Sequence, residues 1–299
     1  MAFARRPQYD WQLRTCTLAL GERTRIMAII NLTPDSFSGD GHGEDGVAAG
    51  VAAAVAAVDG GADIVDLGAE STRPGAEPVS AGEEQKRLLP VVEGVLKARP
   101  KAIVSVDTYH AATARAAGLA GAEILNDVSG LLWEEAMAEA VEETRCGLVL
   151  MHTRGTPQNW RHQPALKPSE VVPLVLRGLR EQLAFAQAAG VAMQSIVIDP
   201  GFGFGKLGSE NFVLLAGLDR LRELGYPLLA GLSRKGFLGE AVRSLQPKPL
   251  PLAEARLIAT VAANVAAVLR GSHILRVHDV QAAREAAIVA DAVLESMRQ

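Results

Sequence analysis

The chain has 299 residues, of which 48% are hydrophobic and 21% are charged. So many apolar side chains exclude wholesale disorder and are enough to build a large core. A formal net charge of -4 argues against a general nucleic-acid or polyanion binder, so any phosphate ligand is expected at one local site.

Short β-branched apolar runs alternate along the chain with longer helical patterns. Continuous apolar runs of this length are typical of strands that are buried on both faces. The predicted strands are 26–31, 63–68, 103–107, 123–126, 148–152, 195–199, 228–232 and 273–277. Segments of helical composition lie between them, among them 81–97, 109–119, 169–189 and 251–270.

Eight strands that alternate with helices predict an α/β fold, a (β/α)8 TIM barrel formed by one domain over residues 1–299. An N-terminal extension, residues 1–24, is predicted to carry a β-hairpin that closes the barrel floor. A doubly wound open sheet is the alternative fold. Ser80 followed by Glu83 predicts a capping box, and Gly118 is one of the glycines at a predicted helix end.

Sequence features also bear on location and partners. Cys16 and Cys146 have a spacing that fits no zinc or redox motif. The start of the chain lacks the apolar stretch of a signal peptide. The longest run of small apolar residues, 47–58, is shorter than the ~20 residues of a membrane span. We therefore expect a cytoplasmic protein with no membrane or nucleic-acid partner.

Nearly every predicted strand ends in a polar or charged residue. In a barrel, the carboxyl ends of the strands ring one face, and that face carries the chemistry. A single polar strand end needs no functional explanation, but a repeated pattern of Asp, Asn, His, Lys and Arg favours a site. These residues are Asn31, Asp66, Asp107, Asn126, Asp127, His152, Asp199, Ser233, Arg234, Lys235, Arg276 and His278.

Asp107, Asn126 and Asp199 end the third, fourth and sixth predicted strands. A carboxylate accepts two N–H donors side by side, and an asparagine offers both a donor and an acceptor. This set suits a ligand with an amidine-like edge, such as the pyrimidine ring of a pterin or guanine. Simple strand-end capping is the alternative, but an unpaired buried carboxylate is costly.

Basic residues follow the last two predicted strands, where phosphate sites of barrels frequently form. Lys235, Arg276 and His278 are suited to neutralising a diphosphate. Asn31, at the end of the first strand, is a candidate ligand for a hydrated Mg²⁺, and Arg73 on the next loop is a candidate for gripping phosphate oxygens. An ordinary turn and a solvent-exposed arginine remain the alternatives for these two loops.

Residues 203–208 match the dinucleotide fingerprint G-x-G-x-x-G. The match falls late in the chain and opens no paired βαβ halves, so it is not interpreted as a nucleotide site. Lys206 is followed by Leu207 rather than by Ser or Thr, so the P-loop pattern also fails.

Eight motifs in order, spanning residues 31 to 280, together resemble dihydropteroate synthase: NLTPDSF, DLGAESTRPGA, SVDTY, NDVSG, MHTRGTPQ, DPGFGFGK, GLSRKGFLG and RVHDV. The resemblance implies a TIM-barrel transferase of folate biosynthesis. Such an enzyme condenses p-aminobenzoate with (7,8-dihydropterin-6-yl)methyl diphosphate and releases diphosphate. The resemblance further implies Mg²⁺ as cofactor and a homodimer.

The resemblance also implies roles for individual residues. Those implied for the pterin are Asp107, Asn126, Met151, Asp199, Phe204 and Lys235. Asn31 is implied as the contact to diphosphate through Mg²⁺, and the direct diphosphate ligands are Arg73, Arg276 and His278. The p-aminobenzoate site is implied for Phe37, Thr72, Pro74 and Ser233. Catalytic roles are implied for Asp35, Lys235, Arg276 and His278.

Two departures from the family pattern affect the loops: Ala69 replaces a usual glycine, and the first loop carries an extra residue at Gly39. Two rival functions share the barrel and the polar floor. One is a methyltransferase domain that binds folate and passes a methyl group to a corrinoid protein. The other is a non-catalytic pterin-binding paralogue. The basic residues after the last two strands favour the synthase over both.

Overall fold

A computed structural model describes residues 5–33, 44–70, 78–245 and 252–296. Several residues of the sequence predictions lie outside the described residues: Asp35, Phe37, Gly39, Thr72, Arg73 and Pro74. Their proposed roles stay predictions.

The described chain begins with a hairpin of β1 (Tyr9–Gln12) and β2 (Thr17–Leu20). Eight further strands follow: β3 (Arg25–Asn31), β4 (Ile64–Gly68), β5 (Ile103–Asp107), β6 (Ile124–Asp127), β7 (Gly147–Met151), β8 (Ile196–Asp199), β9 (Leu229–Ala230) and β10 (Ile274–Val277). The helices between and after them are α1 (Glu44–Asp59), α2 (Ala81–Ala98), α3 (Ala111–Ala120), α4 (Met137–Thr144), α5 (Pro168–Ala188), α6 (Glu210–Ala216), α7 (Gly236–Leu245), α8 (Leu252–Leu269) and α9 (Val280–Ser296).

The eight strands pair in parallel in the order β8-β7-β6-β5-β4-β3-β10-β9. A further parallel bridge, between Ile198 and Leu228, joins β8 to the start of the β9 segment. Both ends of the sheet therefore meet, and the predicted (β/α)8 barrel with its N-terminal hairpin is confirmed. An open doubly wound sheet is excluded by this closure.

Two local predictions were wrong, and packing explains one of them. Helix α3 runs past Gly118 and ends at Gly121, which has a positive φ of 107°. Gly118 lies inside the helix, where a Cβ would come within 2.8 Å of the Thr144 side chain, so it permits close packing on α4 rather than a helix end. Strand β9 is shorter than the predicted 228–232 because it pairs with β10 only at Leu229 and Ala230; the chain then turns after Leu232, with Arg234 at a φ of 57°.

The hairpin closes one end of the barrel, as predicted. Trp11 is 1% exposed, and its indole N–H donates to the carbonyl of Ser195 at 2.8 Å. It packs with Leu20 against barrel residues that include Met27 and Ile64. Because the hairpin seals this end, the opposite end, where the strands terminate, is left for ligands. Within the described residues, no helix is both long and apolar enough to cross a membrane.

Candidate functional site

The predicted pterin floor lies at the carboxyl ends of the barrel strands. The parallel register aligns Gly68, Asp107 and Asn126 across β4, β5 and β6, and it aligns Met151 with Asp199 across β7 and β8. Asn126 and Asp199 are buried, whereas Asp107 is half-buried. Sequence reasoning thus selected residues that the fold brings to one end of one barrel.

Arg276 reaches from β10 past β3 to carboxylates on β4 and β5. Its Nε donates to Oδ2 of Asp66 at 2.6 Å, and its Nη2 donates to Oδ2 of Asp107 at 2.5 Å. Asp66 also accepts hydrogen bonds from the Ser105 hydroxyl at 2.6 Å and from Nδ2 of Asn126 at 3.0 Å. One buried carboxylate therefore orients both the arginine and the asparagine of the site.

Asp66 is the charged residue of this network to which sequence reasoning assigned no role. It was noted as a strand end, but it lies two residues before the end of β4 and is 0% exposed. The signal was present, since a carboxylate within an apolar strand needs partners to offset its desolvation. Its partners come from three other strands, so their identity cannot be inferred from local sequence.

Charges in this network shift one another's pKa values. Burial raises the pKa of Asp107 to about 7, although the Arg276 guanidinium opposes the change. For Arg276, burial lowers the pKa, but the attraction of Asp66 and Asp107 outweighs that effect, so the net pKa is raised. Arg276 is therefore cationic, and we regard Asp107 as ionised while the guanidinium contacts it at 2.5 Å.

Asp199 and Lys235 lie at the same end of the barrel, and their charges influence each other. Oδ1 of Asp199 accepts the Gly201 N–H at 2.7 Å, while burial raises the pKa of Asp199. Burial lowers the pKa of Lys235 to about 8, partly offset by the negative charge of Asp199. The Lys235 ammonium lies 3.9 Å from the centre of the Phe204 ring, a cation–π contact.

Ser233 follows β9 and His278 follows β10, and the two side chains are in contact. The Ser233 hydroxyl oxygen accepts the backbone N–H of His278 at 3.1 Å and lies 2.9 Å from its Nδ1. This contact fixes the orientation of the imidazole ring, which is half-buried. The two residues therefore share one local structure.

His110 links several loops beside the site, and sequence reasoning did not identify it. Its Nε2 lies 3.0 Å from the Val79 carbonyl and 3.7 Å from Oε2 of Glu70. Its Nδ1 lies 2.5 Å from Oε1 of Glu134, and Tyr109 donates its hydroxyl to the other oxygen of Glu70 at 2.9 Å. The nearby carboxylate of Glu70, followed by that of Glu134, raises the pKa of His110 to about 9, although burial opposes the change.

Four aromatic rings form a row across the loops that follow β5, β6, β7 and β8. Tyr109 lies 5.0 Å from Trp133, Trp133 lies 6.2 Å from Trp160, and Trp160 lies 4.9 Å from Phe204. Of these, sequence reasoning selected Phe204 alone. The others are far apart in the chain, and the strand order that assembles them is a property of the whole barrel.

The described residues contain no group of three or more His, Cys, Asp or Glu side chains that is suited to a metal ion. Asn31, half-buried at the end of β3, offers a single amide oxygen. This donor set does not fit a protein-built metal cage. It fits Mg²⁺ that takes most of its ligands from water and substrate phosphates, which is the usual arrangement for this ion.

Comparison with known proteins agrees with this geometry. The family described as pterin binding enzyme matches residues 27–278. A dihydropteroate synthase of Synechocystis sp. is 38% identical over 285 residues, which cover 95% of this chain and 92% of that protein. One from Escherichia coli is 40% identical over 271 residues, covering 91% and 92% of the two chains.

Solved structures are similar over the same extent. The Yersinia pestis dihydropteroate synthase, in a complex with a sulfonamide drug, superposes with a TM-score of 0.85 at 36% identity, covering 96% of this chain and 99% of that one. The Xanthomonas albilineans enzyme with 4-aminobenzoic acid gives a TM-score of 0.80 at 42% identity, covering 92% and 95%. The chain therefore belongs to the pterin binding enzyme family, among its dihydropteroate synthases.

Proposed function

We propose that the chain condenses p-aminobenzoate with (7,8-dihydropterin-6-yl)methyl diphosphate to give 7,8-dihydropteroate and diphosphate, in folate biosynthesis. The observation that carries the proposal is a polar floor of Asp107, Asn126 and Asp199 next to the cations Lys235 and Arg276. Relatives support it, since a Xanthomonas albilineans dihydropteroate synthase has been solved in complex with 7,8-dihydropteroate.

The floor accounts for recognition of the pterin. Asp199 presents a carboxylate that the Gly201 N–H holds in place, and Asn126 is oriented by Asp66. A carboxylate accepting two N–H bonds suits the 2-amino pyrimidine edge. Met151 and Phe204 supply apolar surface beside it, and the Lys235 ammonium is a donor for the polar edge of the ring.

In the reaction, the amine nitrogen of p-aminobenzoate attacks the pterin methylene carbon. The bond from that carbon to the diphosphate oxygen breaks, its electron pair leaves with the diphosphate, and the amine loses a proton to water. Negative charge grows on the leaving oxygen, where preorganised cations stabilise the transition state. We assign this role to Lys235, Arg276 and His278. Asp66 and Asp107 hold Arg276 in place.

We propose Mg²⁺ as the cofactor, with Asn31 as its protein contact. The ion supplies positive charge that neutralises the diphosphate. The remaining assignments also stay proposals that depend on the family resemblance: Asp35 for the chemistry, Arg73 for the diphosphate, and Phe37, Thr72, Pro74 and Ser233 for the p-aminobenzoate site.

Calorimetric titration with 6-hydroxymethylpterin, in the presence and absence of diphosphate and Mg²⁺, tests the proposal against its rivals. A synthase is expected to bind the pterin more tightly when diphosphate and Mg²⁺ are both present. A folate-dependent methyltransferase domain is expected to show no such coupling. Production of dihydropteroate from both substrates separates the synthase from a non-catalytic paralogue, which would bind the pterin without turnover.

A homodimer and a cytoplasmic location are further proposals from the resemblance. Ile258 on α8, with Ile288, Val289 and Val293 on α9, gives these helices exposed apolar side chains that are consistent with an interface. Light scattering of the purified protein measures its mass in solution. Fractionation of the cells that produce it tests the location.

A further inference from the structure

Lys206 is a buried lysine with no role in the function proposed above. It is 3% exposed, and its Nζ donates to the carbonyl oxygens of His152, Pro200 and Gly201, each at 2.8 Å. An ammonium has three N–H donors, which these acceptors use completely, whereas a neutral amine would direct its lone pair at one carbonyl oxygen. Burial lowers the pKa of Lys206, but this arrangement of acceptors favours the ammonium.

The Lys206 ammonium takes the place of a backbone hydrogen bond between the chains that leave β7 and β8. The parallel ladder extends to the N–H of His152, which donates to the Asp199 carbonyl at 2.8 Å. In a regular parallel ladder, the next bond would run from the Gly201 N–H to the His152 carbonyl. That N–H instead donates to Oδ1 of Asp199 at 2.7 Å, and Lys206 donates to the His152 carbonyl.

The two backbones approach each other closely at this point, which supports the view that the Lys206 ammonium replaces a backbone hydrogen bond. A Cβ on Gly201 would lie 2.0 Å from the His152 carbonyl oxygen, and Gly201 has a positive φ of 66°. A glycine is needed there because an L side chain would clash and strain the backbone. Lys206 therefore holds the two backbones through three carbonyl groups, and the Gly201 N–H of the loop after β8 donates to the Asp199 carboxylate.

Lys206 and Asp199 also attract each other electrostatically. Burial raises the pKa of Asp199, and the positive charges of Lys235, Lys206 and Arg276 oppose that change. The charged and titratable groups that face Lys206 are Asp199, Glu210, Lys235, Arg154 and His152. Of the cations that act on Asp199, Lys206 alone also holds the loop that donates to its carboxylate.

We propose that Lys206 is a positioning residue for Asp199. By donating to the His152 carbonyl it leaves the Gly201 N–H to hold the Asp199 carboxylate, and its charge keeps that carboxylate ionised. The inference rests on the proposed role of Asp199 in pterin binding. Lys206 itself does not need to contact the pterin.

Lys206→Met tests this, because methionine keeps most of the length and apolar stem but has neither charge nor donors. We expect the affinity for 6-hydroxymethylpterin to fall by about tenfold or more at pH 7.5. The acid side of its pH profile should move to higher pH, since Asp199 then protonates more easily. In an Asp199→Asn background, the same substitution should have little further effect. Lys101→Met, at an exposed lysine before β5, is the matched control for loss of a charge.

If Lys206 contributed only to the stability of the fold, the result would be different. In that case Lys206→Met would lower the melting temperature while pterin affinity and its pH profile stayed as in the wild type, and this result overturns the proposal. Wild-type protein that does not bind the pterin contradicts the proposed function instead. If the variant does not fold, carbon-13 titration of the Lys206 side chain in the wild-type protein decides, because an uncharged Lys206 at pH 7 is incompatible with the proposal.

Discussion

Nε of Arg276 donates to the fully buried carboxylate of Asp66 at 2.6 Å, so the arginine assigned to diphosphate is also the partner of a core charge. Its Nη2 holds Asp107 at the same time. Asp66 and Asp107 together hold the guanidinium beside the pterin floor, where we assign it to the negative charge that develops on the leaving diphosphate.

We predict that Asp66→Asn impairs both folding stability and turnover. The amide keeps the shape of the side chain but removes the charge that pairs with Arg276. Loss of a charged hydrogen bond in the interior should cost about 1.5–3 kcal/mol in the free energy of unfolding. Turnover should fall further than stability alone explains, because Arg276 and Asn126 lose their common partner.

Urea unfolding and steady-state kinetics on the same preparation test this prediction. Asp59→Asn is a suitable control, since Asp59 forms an exposed pair with Arg99 at the far end of α1. The control should change neither quantity appreciably. An Asp66→Asn enzyme with wild-type kcat and KM would show that Arg276 does not need Asp66 for its function.

Sequence patterns predicted much of this molecule for identifiable reasons. Continuous apolar runs marked the buried strands: the predicted strand 103–107 has the observed bounds, and six others differ from the observed bounds by one or two residues in total; β9 is the exception. It is short because it pairs with β10 only at Leu229 and Ala230, and the extent of that pairing depends on the register of distant strands, which composition does not reveal. The polar residues at strand ends gave the location of the site.

What sequence reasoning missed depends on contacts between distant segments. Asp66 obtains its role from Arg276, 210 residues away along the chain. His110 and Lys206 join loops from neighbouring βα units through backbone carbonyl groups, which leave no signature in side-chain type. Such partners are set by the register of the barrel strands.

We predict that Asp199→Ala strongly weakens pterin binding while the fold stays intact. The alanine removes the carboxylate that is held towards the floor by Gly201, and the pterin donors lose their acceptor. The expected loss is about 1–3 kcal/mol or more of binding free energy. Calorimetry with 6-hydroxymethylpterin measures it, and circular dichroism checks the fold. Unchanged affinity in a folded variant would refute the assignment.

Loss of the positive charge of Lys235 should lower the activity of the enzyme at alkaline pH. Its pKa is lowered by burial to about 8, so it is cationic at pH 7 and loses its charge as the pH rises through about 8. We therefore predict that kcat/KM for the pterin diphosphate falls above pH 8, since this ratio reports ionisation in the free enzyme.

Lys235→Arg distinguishes this cause from others, because a guanidinium stays charged throughout that range. The alkaline fall should disappear or move to higher pH in the variant, even if its maximal rate is lower. An alkaline limb that stays at the same pH in Lys235→Arg would assign it to another group. Lys101→Arg, at an exposed position, is the control.

His110 should make stability depend on pH in a defined direction. Its Nε2 faces a carbonyl oxygen and its Nδ1 faces the carboxylate of Glu134, and both acceptors require a ring N–H, so the geometry selects the imidazolium. The folded-state pKa of about 9 lies above the ordinary 6.5. A raised pKa stabilises the fold fully below about pH 6.5, and the contribution is lost as the pH rises through about 9. Glu70 and Glu84 face the same ring, and burial raises the pKa of Tyr109, so the tyrosine stays neutral in this range.

We predict that His110→Gln lowers the free energy of unfolding by about 1–2 kcal/mol at pH 6, a value that allows for partial solvent screening. Glutamine retains an N–H donor but does not titrate, so the difference from wild type should shrink steadily and be small by pH 10. Urea unfolding at pH 6, 7.5, 9 and 10 follows it, with His162→Gln as the control at an exposed histidine. A difference that is the same at every pH would mean that His110 acts through packing, with no contribution from its charge.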